Sequence, residues 1–147
     1  MHRFLKISYL FILVLLFNSC NECEGMACTA APPSFTLELV DAVTGENLFT
    51  TGKYKPGNIE VTDEGGQHTY TLFNNENNRN TLMVSVNSTE GKQKFTLSIG
   101  EDLSIPINVK VSFGTSGCCS SHQTEDVALE GYATEVVKET GIIKIKI

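Results

Sequence analysis

From residue 35 onward, apolar and polar residues alternate in short runs separated by turn residues. Phe35, Leu37 and Leu39 alternate with Thr36 and Glu38. Successive side chains of a strand point to opposite faces, so this run has one buried and one wet face. Asp41 to Glu46 is a turn with Thr44-Gly45 at its tip, and a weaker extended piece follows over residues 48–54, ending at Lys55-Pro56-Gly57. Ile59 and Val61 begin another strand, and Glu64-Gly65-Gly66-Gln67 turns the chain into residues 69–73, which predicts a hairpin. Residues 74–80, rich in asparagine, form a polar loop. Leu82, Val84 and Val86, a turn over Ser88 to Lys92, and then Phe95, Leu97 and Ile99 predict the clearest hairpin of the chain. Ile107, Val109, Val111 and Phe113 continue the period of two, with Pro106 expected at the start of their strand, where a missing N–H does least harm. Residues 114–126 read as a long polar loop, and residues 127–137 fit a strand or a short helix. Ile143, Ile145 and Ile147 end the pattern, with Lys144 and Lys146 on the other side.

Seven to nine short strands with alternating faces and no convincing long helix predict an all-β fold, an antiparallel two-layer β-sandwich over residues 35–147. Residues 20–34 lack periodicity and finish in Pro32-Pro33; they read as a tether whose stiff end meets the first strand. The stretch from Leu37 through Thr44-Gly45 to Ile59 and Val61 resembles the opening of transthyretin-like or immunoglobulin-like domains of secreted bacterial proteins. That resemblance implies the class of sandwich, not one family. With no tryptophan in the chain, the cysteine–tryptophan core signature of antibody domains does not apply.

The first twenty residues follow a different logic. Arg3 and Lys6 are basic, Ile7 to Phe17 are almost wholly apolar, and the run stops at Asn18-Ser19-Cys20. Eleven helical residues span only about 16 Å, well short of a hydrocarbon core of about 30 Å. The segment therefore reads as a removable signal peptide, residues 1–19, and not as a permanent span. Charge, apolar run, small residue and cysteine in this order resemble the lipobox of bacterial lipoprotein precursors. The resemblance implies that Cys20 becomes the acylated first residue of the mature protein, a cell-envelope lipoprotein of the outer membrane. Several acyl chains hold a protein on a membrane essentially permanently, since each buried methylene contributes about 0.8 kcal/mol. Glu22 and Glu24, just after the anchor, hint at display on the outer face; a periplasmic face stays open.

Composition narrows the partners. The formal charge of −6 becomes −8 once Arg3 and Lys6 are removed. An acidic domain without a basic run is a poor nucleic-acid binder, so no nucleic acid is expected. The membrane is reached through the lipid anchor and not through surface charge.

Setting Cys20 aside leaves four cysteines: Cys23, Cys28, Cys118 and Cys119. An even number in an oxidising compartment reads as two disulfides with three possible connectivities. A bond between the neighbours Cys118 and Cys119 strains the peptide between them, which favours each reaching back to Cys23 or Cys28. The competing chemistry uses the same residues. Cys118, Cys119 and His122 could supply three metal ligands, with His68 or a carboxylate as the fourth, but adjacent thiolates converge poorly on one ion. Thiol–disulfide exchange on that loop is the second alternative, and it lacks a Cys-x-x-Cys motif. No Gly-x-Ser-x-Gly elbow or His-Glu-x-x-His occurs. Acid pairs such as Asp63-Glu64 and Glu125-Asp126 fall where solvated turn residues are expected. No catalytic residue, metal or cofactor is assigned. The function expected is a non-enzymatic binding or structural module of the envelope, meeting a partner through loops at one end of the sandwich.

Overall fold

Alternating apolar residues on the strands of two sheets meet face to face and build one core between them. The computed structural model describes residues 23, 25, 27–29, 31–69, 71–74 and 80–147. Its strands are β1 (Ser34–Val40), β2 (Ile59–Asp63), β3 (Thr71–Asn74), β4 (Thr81–Ser85), β5 (Gly91–Ile99), β6 (Leu103–Ser116), β7 (Cys119–Leu129), β8 (Ala133–Val136) and β9 (Ile143–Lys146). One sheet has the order β3-β4-β1-β9-β8 and the other β2-β5-β6-β7. Every pairing is antiparallel except β1 with β9. The protein is an all-β sandwich. Among the described residues no helix is long and apolar enough to cross a membrane; residues 1–19, expected to be a signal peptide, and Cys20 lie outside the described residues.

The period of two selects the core. Leu37 and Leu39 of β1, Leu82 and Val84 of β4 and Ile145 of β9 face Leu97 and Ile99 of β5 and Ile105, Ile107 and Val109 of β6, all essentially sealed from solvent. Register brings the buried residues opposite one another: Leu37 sits beside Leu82 and Ile143 in one sheet, and Leu97 beside Ile105 in the other. Burying each of these side chains contributes about 1.5–3 kcal/mol relative to leaving it in water.

Several expectations about connection are overturned. Leu82–Val86 and Phe95–Ile99 do not form a hairpin, because β4 and β5 belong to opposite sheets. Alternation fixes which face of a strand is buried, and two strands facing one core from opposite sides carry the same pattern as two neighbours. The hairpin expected over residues 59–73 is reduced to a bridge between Thr62 and His68 and a bond from Thr69 N to the Val61 carbonyl. Beyond it, β3 pairs with β4 instead.

Residues 48–54 are turns and not an extended piece. Asn47 Oδ1 accepts the amides of Phe49 and Thr50, the local capture by which asparagine competes with strand formation. Leu48 and Phe49 are thereby buried from a turn, with Phe49 edge-on to Phe73 at 5.0 Å. Pro106 is the fourth residue of β6, a central strand, and not its first. Its carbonyl accepts Glu130 N, just past the end of β7, so its nitrogen also faces a side where no strand partner remains. Residues 127–137 divide between the end of β7, a turn and β8; no helix forms there.

Candidate functional site

The polar stretch read as a loop over residues 114–126 is a β-ribbon. β5 begins at Gly91, opposite Val111. Beyond that point β6 and β7 pair only with each other, through five pairs from Ser112–Gln123 to Ser116–Cys119. At about 3.4 Å per residue the ribbon projects about 17 Å past the sheet. None of its described side chains from Ser112 to Gln123 is buried, so its strands need no apolar alternation, and polar residues hide it from a periodicity search.

Its turn follows from one residue. Gly117 has φ +59°, and Gly117-Cys118 is a two-residue connection, the arrangement that matches the twist of a hairpin when glycine comes first. At the ribbon's base the register slips between Lys110 and Val111, leaving Glu125 as the extra residue of a bulge. Bulges bend a strand and increase its twist, and this one lies where the ribbon leaves the sheet. Lys110 Nζ pairs with Glu125 there. Glu125 holds the lysine above its ordinary range, and the lysine, helped by the Ser112 hydroxyl, holds the Glu125 carboxyl below its own.

The four cysteines sit at the ribbon tip. Of the three connectivities left open by the sequence, the structure has Cys23–Cys118 and Cys28–Cys119, with Cα separations of 5.1 and 5.5 Å. Cys28 Sγ also lies 3.7 Å from the Cys118 carbonyl oxygen; an oxidised sulfur has no proton to donate, so this is a contact and not a hydrogen bond. The tether is held again at the ribbon's base, where Thr124 Oγ1 donates to the Ser34 carbonyl at 3.0 Å and Val86 N to the Pro33 carbonyl at 2.8 Å. Pro33 is buried, while the described tether residues before it are exposed. Six residues separate Cys28 from Ser34, a reach of at most about 21 Å, beside a ribbon of nearly that length.

No known protein family, curated protein or solved structure matches the chain.

Cys118, Cys119 and His122 do not converge on a common point. Both sulfurs are bonded elsewhere, and the His122 ring meets Phe113 edge to face at 5.2 Å. His68, the other ligand considered, is exposed and lies 3.4 Å from Glu60. Among the described residues no group of three or more His, Cys, Asp or Glu side chains gathers. Asp63 is turned to backbone work, its Oδ1 accepting Gly65 N and Gln67 N. A groove of about 470 Å³ lies between the start of β1 and the free edge of β7, beside Thr124–Val127, Val136 and Ile143.

The opposite end of the sandwich is a cluster of connections. Strand directions place there the turn after β1, the segment leading to β2, the β5–β6 turn and the end of β3. Asp41 Oδ1 accepts the amides of Val43 and Thr44, both at 2.9 Å, and these bonds lower its pKa. Val43 at the tip of this turn is 94% exposed. Asn47 Nδ2 donates to the Asn80 carbonyl, and Asn80 Nδ2 to Thr50 Oγ1. These bonds tie the turn over residues 47–50 to the end of the asparagine-rich segment, whose residues 75–79 lie outside the described residues. Asn80 itself takes a left-handed φ of +45°, a conformation asparagine tolerates better than most residues. Sequence reasoning found the asparagine-rich loop but not its partner Asn47, whose only signal was a polar residue just before two apolar ones.

Proposed function

We propose that this protein is an exported lipoprotein, held on a membrane by acyl chains on Cys20, that works as a non-enzymatic binding or structural module. The observation that carries the reading is the order of features at its amino end. A basic start, an apolar run and Ser19-Cys20 are followed within eight residues by Cys23 and Cys28, whose disulfides need an oxidising compartment to persist. An envelope location accounts for both features at once. The outer membrane is the proposed site, and the loop cluster around Asp41, Asn47 and Asn80 is the proposed contact surface for an envelope partner or ligand.

The test is mass spectrometry of the full chain recovered from membranes, alongside Cys20→Ala. The reading expects a diacylated or triacylated Cys20 peptide in the parent and loss of membrane association in the variant. A Cys20→Ala protein that is processed and membrane-bound like the parent would overturn it.

A further inference from the structure

Three features stand outside the proposed function: the groove at the free β7 edge, the exposed pair of neighbouring disulfides, and the uncharged ribbon they cap. The ribbon carries an inference about orientation, which rests on Cys20 being acylated.

Cys23 is fixed to Cys118 at the ribbon tip. Cys20 precedes Cys23 by three residues, so the two lie within about 11 Å of each other. Without the staples, the chain between the anchor and the first strand would span fourteen residues, and at about 3.4 Å per residue the sandwich could move tens of ångströms from the anchor and turn freely. With both staples the slack is three residues, measured from a point locked to the fold. The anchor must therefore emerge beside the turn Gly117-Cys118, at one defined end of the molecule.

The surface at that end suits the occupant. The chain is acidic, yet from Val111 to Thr124 there is no Asp, Glu, Lys or Arg. A seat on lipid headgroups asks for this, because carboxylates brought to an anionic surface are repelled and any charge brought close is desolvated. Within the same stretch Phe113 is 55% exposed, a large apolar ring half open to solvent beside the His122 ring. On the ribbon's own strands charge resumes at Lys110 and Glu125, about 17 Å back from the tip; the two carboxylates beside the anchor, Glu22 and Glu24, belong to the tether.

We infer that the disulfide-capped ribbon Val111–Thr124 is the membrane-facing end of the protein, seated at the lipid headgroups. The sandwich then stands off the bilayer and presents the loop cluster around Asp41, Asn47 and Asn80 away from it. Two disulfides make the joint stiff where one would leave a swivel, since a second bond removes rotation about the first.

The absence of tryptophan from the chain makes the test clean. Phe113→Trp and Val43→Trp each place one fluorophore, at the ribbon and at the opposite end, about 25 Å further along the strands. Each variant is made as full-length, processed, acylated protein and reconstituted in vesicles of phosphatidylethanolamine and phosphatidylglycerol doped with a dansyl headgroup acceptor. Energy transfer at least threefold larger from the ribbon probe than from the probe in the β1 turn is expected. In the parent sequence lacking all four of Cys23, Cys28, Cys118 and Cys119, the contrast should shrink toward unity. Equal transfer from both positions in acylated protein overturns the orientation and leaves the lipoprotein reading intact. Protein that carries no acyl group and stays out of the vesicles overturns the lipoprotein reading, and the orientation with it. Should the variant without cysteines fail to fold, the contrast between the two probes in disulfide-bonded protein decides the matter.

Discussion

Removing the disulfides one pair at a time should give a strongly non-additive loss of stability. In the chain-entropy view, a cross-link over about 95 residues taken in isolation stabilises by about 4.7 kcal/mol. That figure counts only the unfolded chain. Here the folded protein must also hold down a tether whose described residues are exposed up to Pro33. In the native state each bond therefore closes a short loop from Pro33, ten residues to Cys23 or five to Cys28. Counted at its largest, with no added cost for stretching the tether along the ribbon, the net term is the difference of two loop entropies, (3/2)RT ln of the ratio of lengths. The ratio 95 to 10 gives about 2 kcal/mol and 91 to 5 about 2.5 kcal/mol. The small ring between the two staples closes in both states and cancels. Cys23→Ser/Cys118→Ser should then cost close to nothing, Cys28→Ser/Cys119→Ser about 0.5 kcal/mol, and all four substitutions about 2.5 kcal/mol. Guanidinium unfolding of the chain from residue 21 onward, exported and oxidised, measures this directly. The fourfold variant should melt about 8–10 °C lower, at roughly 4 °C per kcal/mol for a domain of this size. A loss above 2 kcal/mol from either single pair, or a fourfold variant no worse than a single pair, would refute the argument.

Other outcomes follow from particular residues. Gly117→Ala forces an alanine into φ +59° and should cost about 1–2 kcal/mol, measured as a fall in midpoint at unchanged slope. Leu97→Ala empties a site with no solvent exposure and should cost about 2–5 kcal/mol, whereas Val43→Ala should stay within about 0.5 kcal/mol; equal losses would mean the core is wrongly placed. Asp41 has its pKa lowered by the Thr44 and Val43 amides. Its contribution is complete above its ordinary value of 3.8 and is lost as pH falls through the lower folded value. The gap in melting temperature between the parent and Asp41→Asn should therefore hold steady at neutral pH and close on acidification below that value. A gap independent of pH would show that the charge is not what the amides bind.

The sandwich was legible because its core strands alternate, and a buried face leaves that mark whichever sheet a strand joins. Partners were not legible for the same reason. Val84 and Leu97 carry the same signal, although one lies beside Phe35 and the other beside Ile105. The ribbon escaped because its outer pairs, such as Thr115 with Ser120, bury nothing and so carry no period. Residues 48–54 escaped for the opposite reason: Leu48 and Phe49 are buried, but by an asparagine-capped turn that plugs the end of the core. At the ribbon tip the count of cysteines and the cost of joining neighbours pointed to Cys23 and Cys28 as partners for Cys118 and Cys119. Which joins which depends on the path of the tether along the ribbon, and no local pattern encodes that path.

The parallel pair β1–β9 has a consequence for how the protein comes into being. It sits at the middle of its sheet and joins strands drawn from opposite ends of the domain. A chain emerging vectorially, from a ribosome or an export channel alike, delivers Leu37 and Leu39 long before Ile143 and Ile145. Until those isoleucines arrive, β1 waits with one backbone edge unpaired, the kind of edge that recruits other chains. Such late, long-range closure makes for slow assembly, and the five-stranded sheet cannot be completed while the distal segment is still in transit.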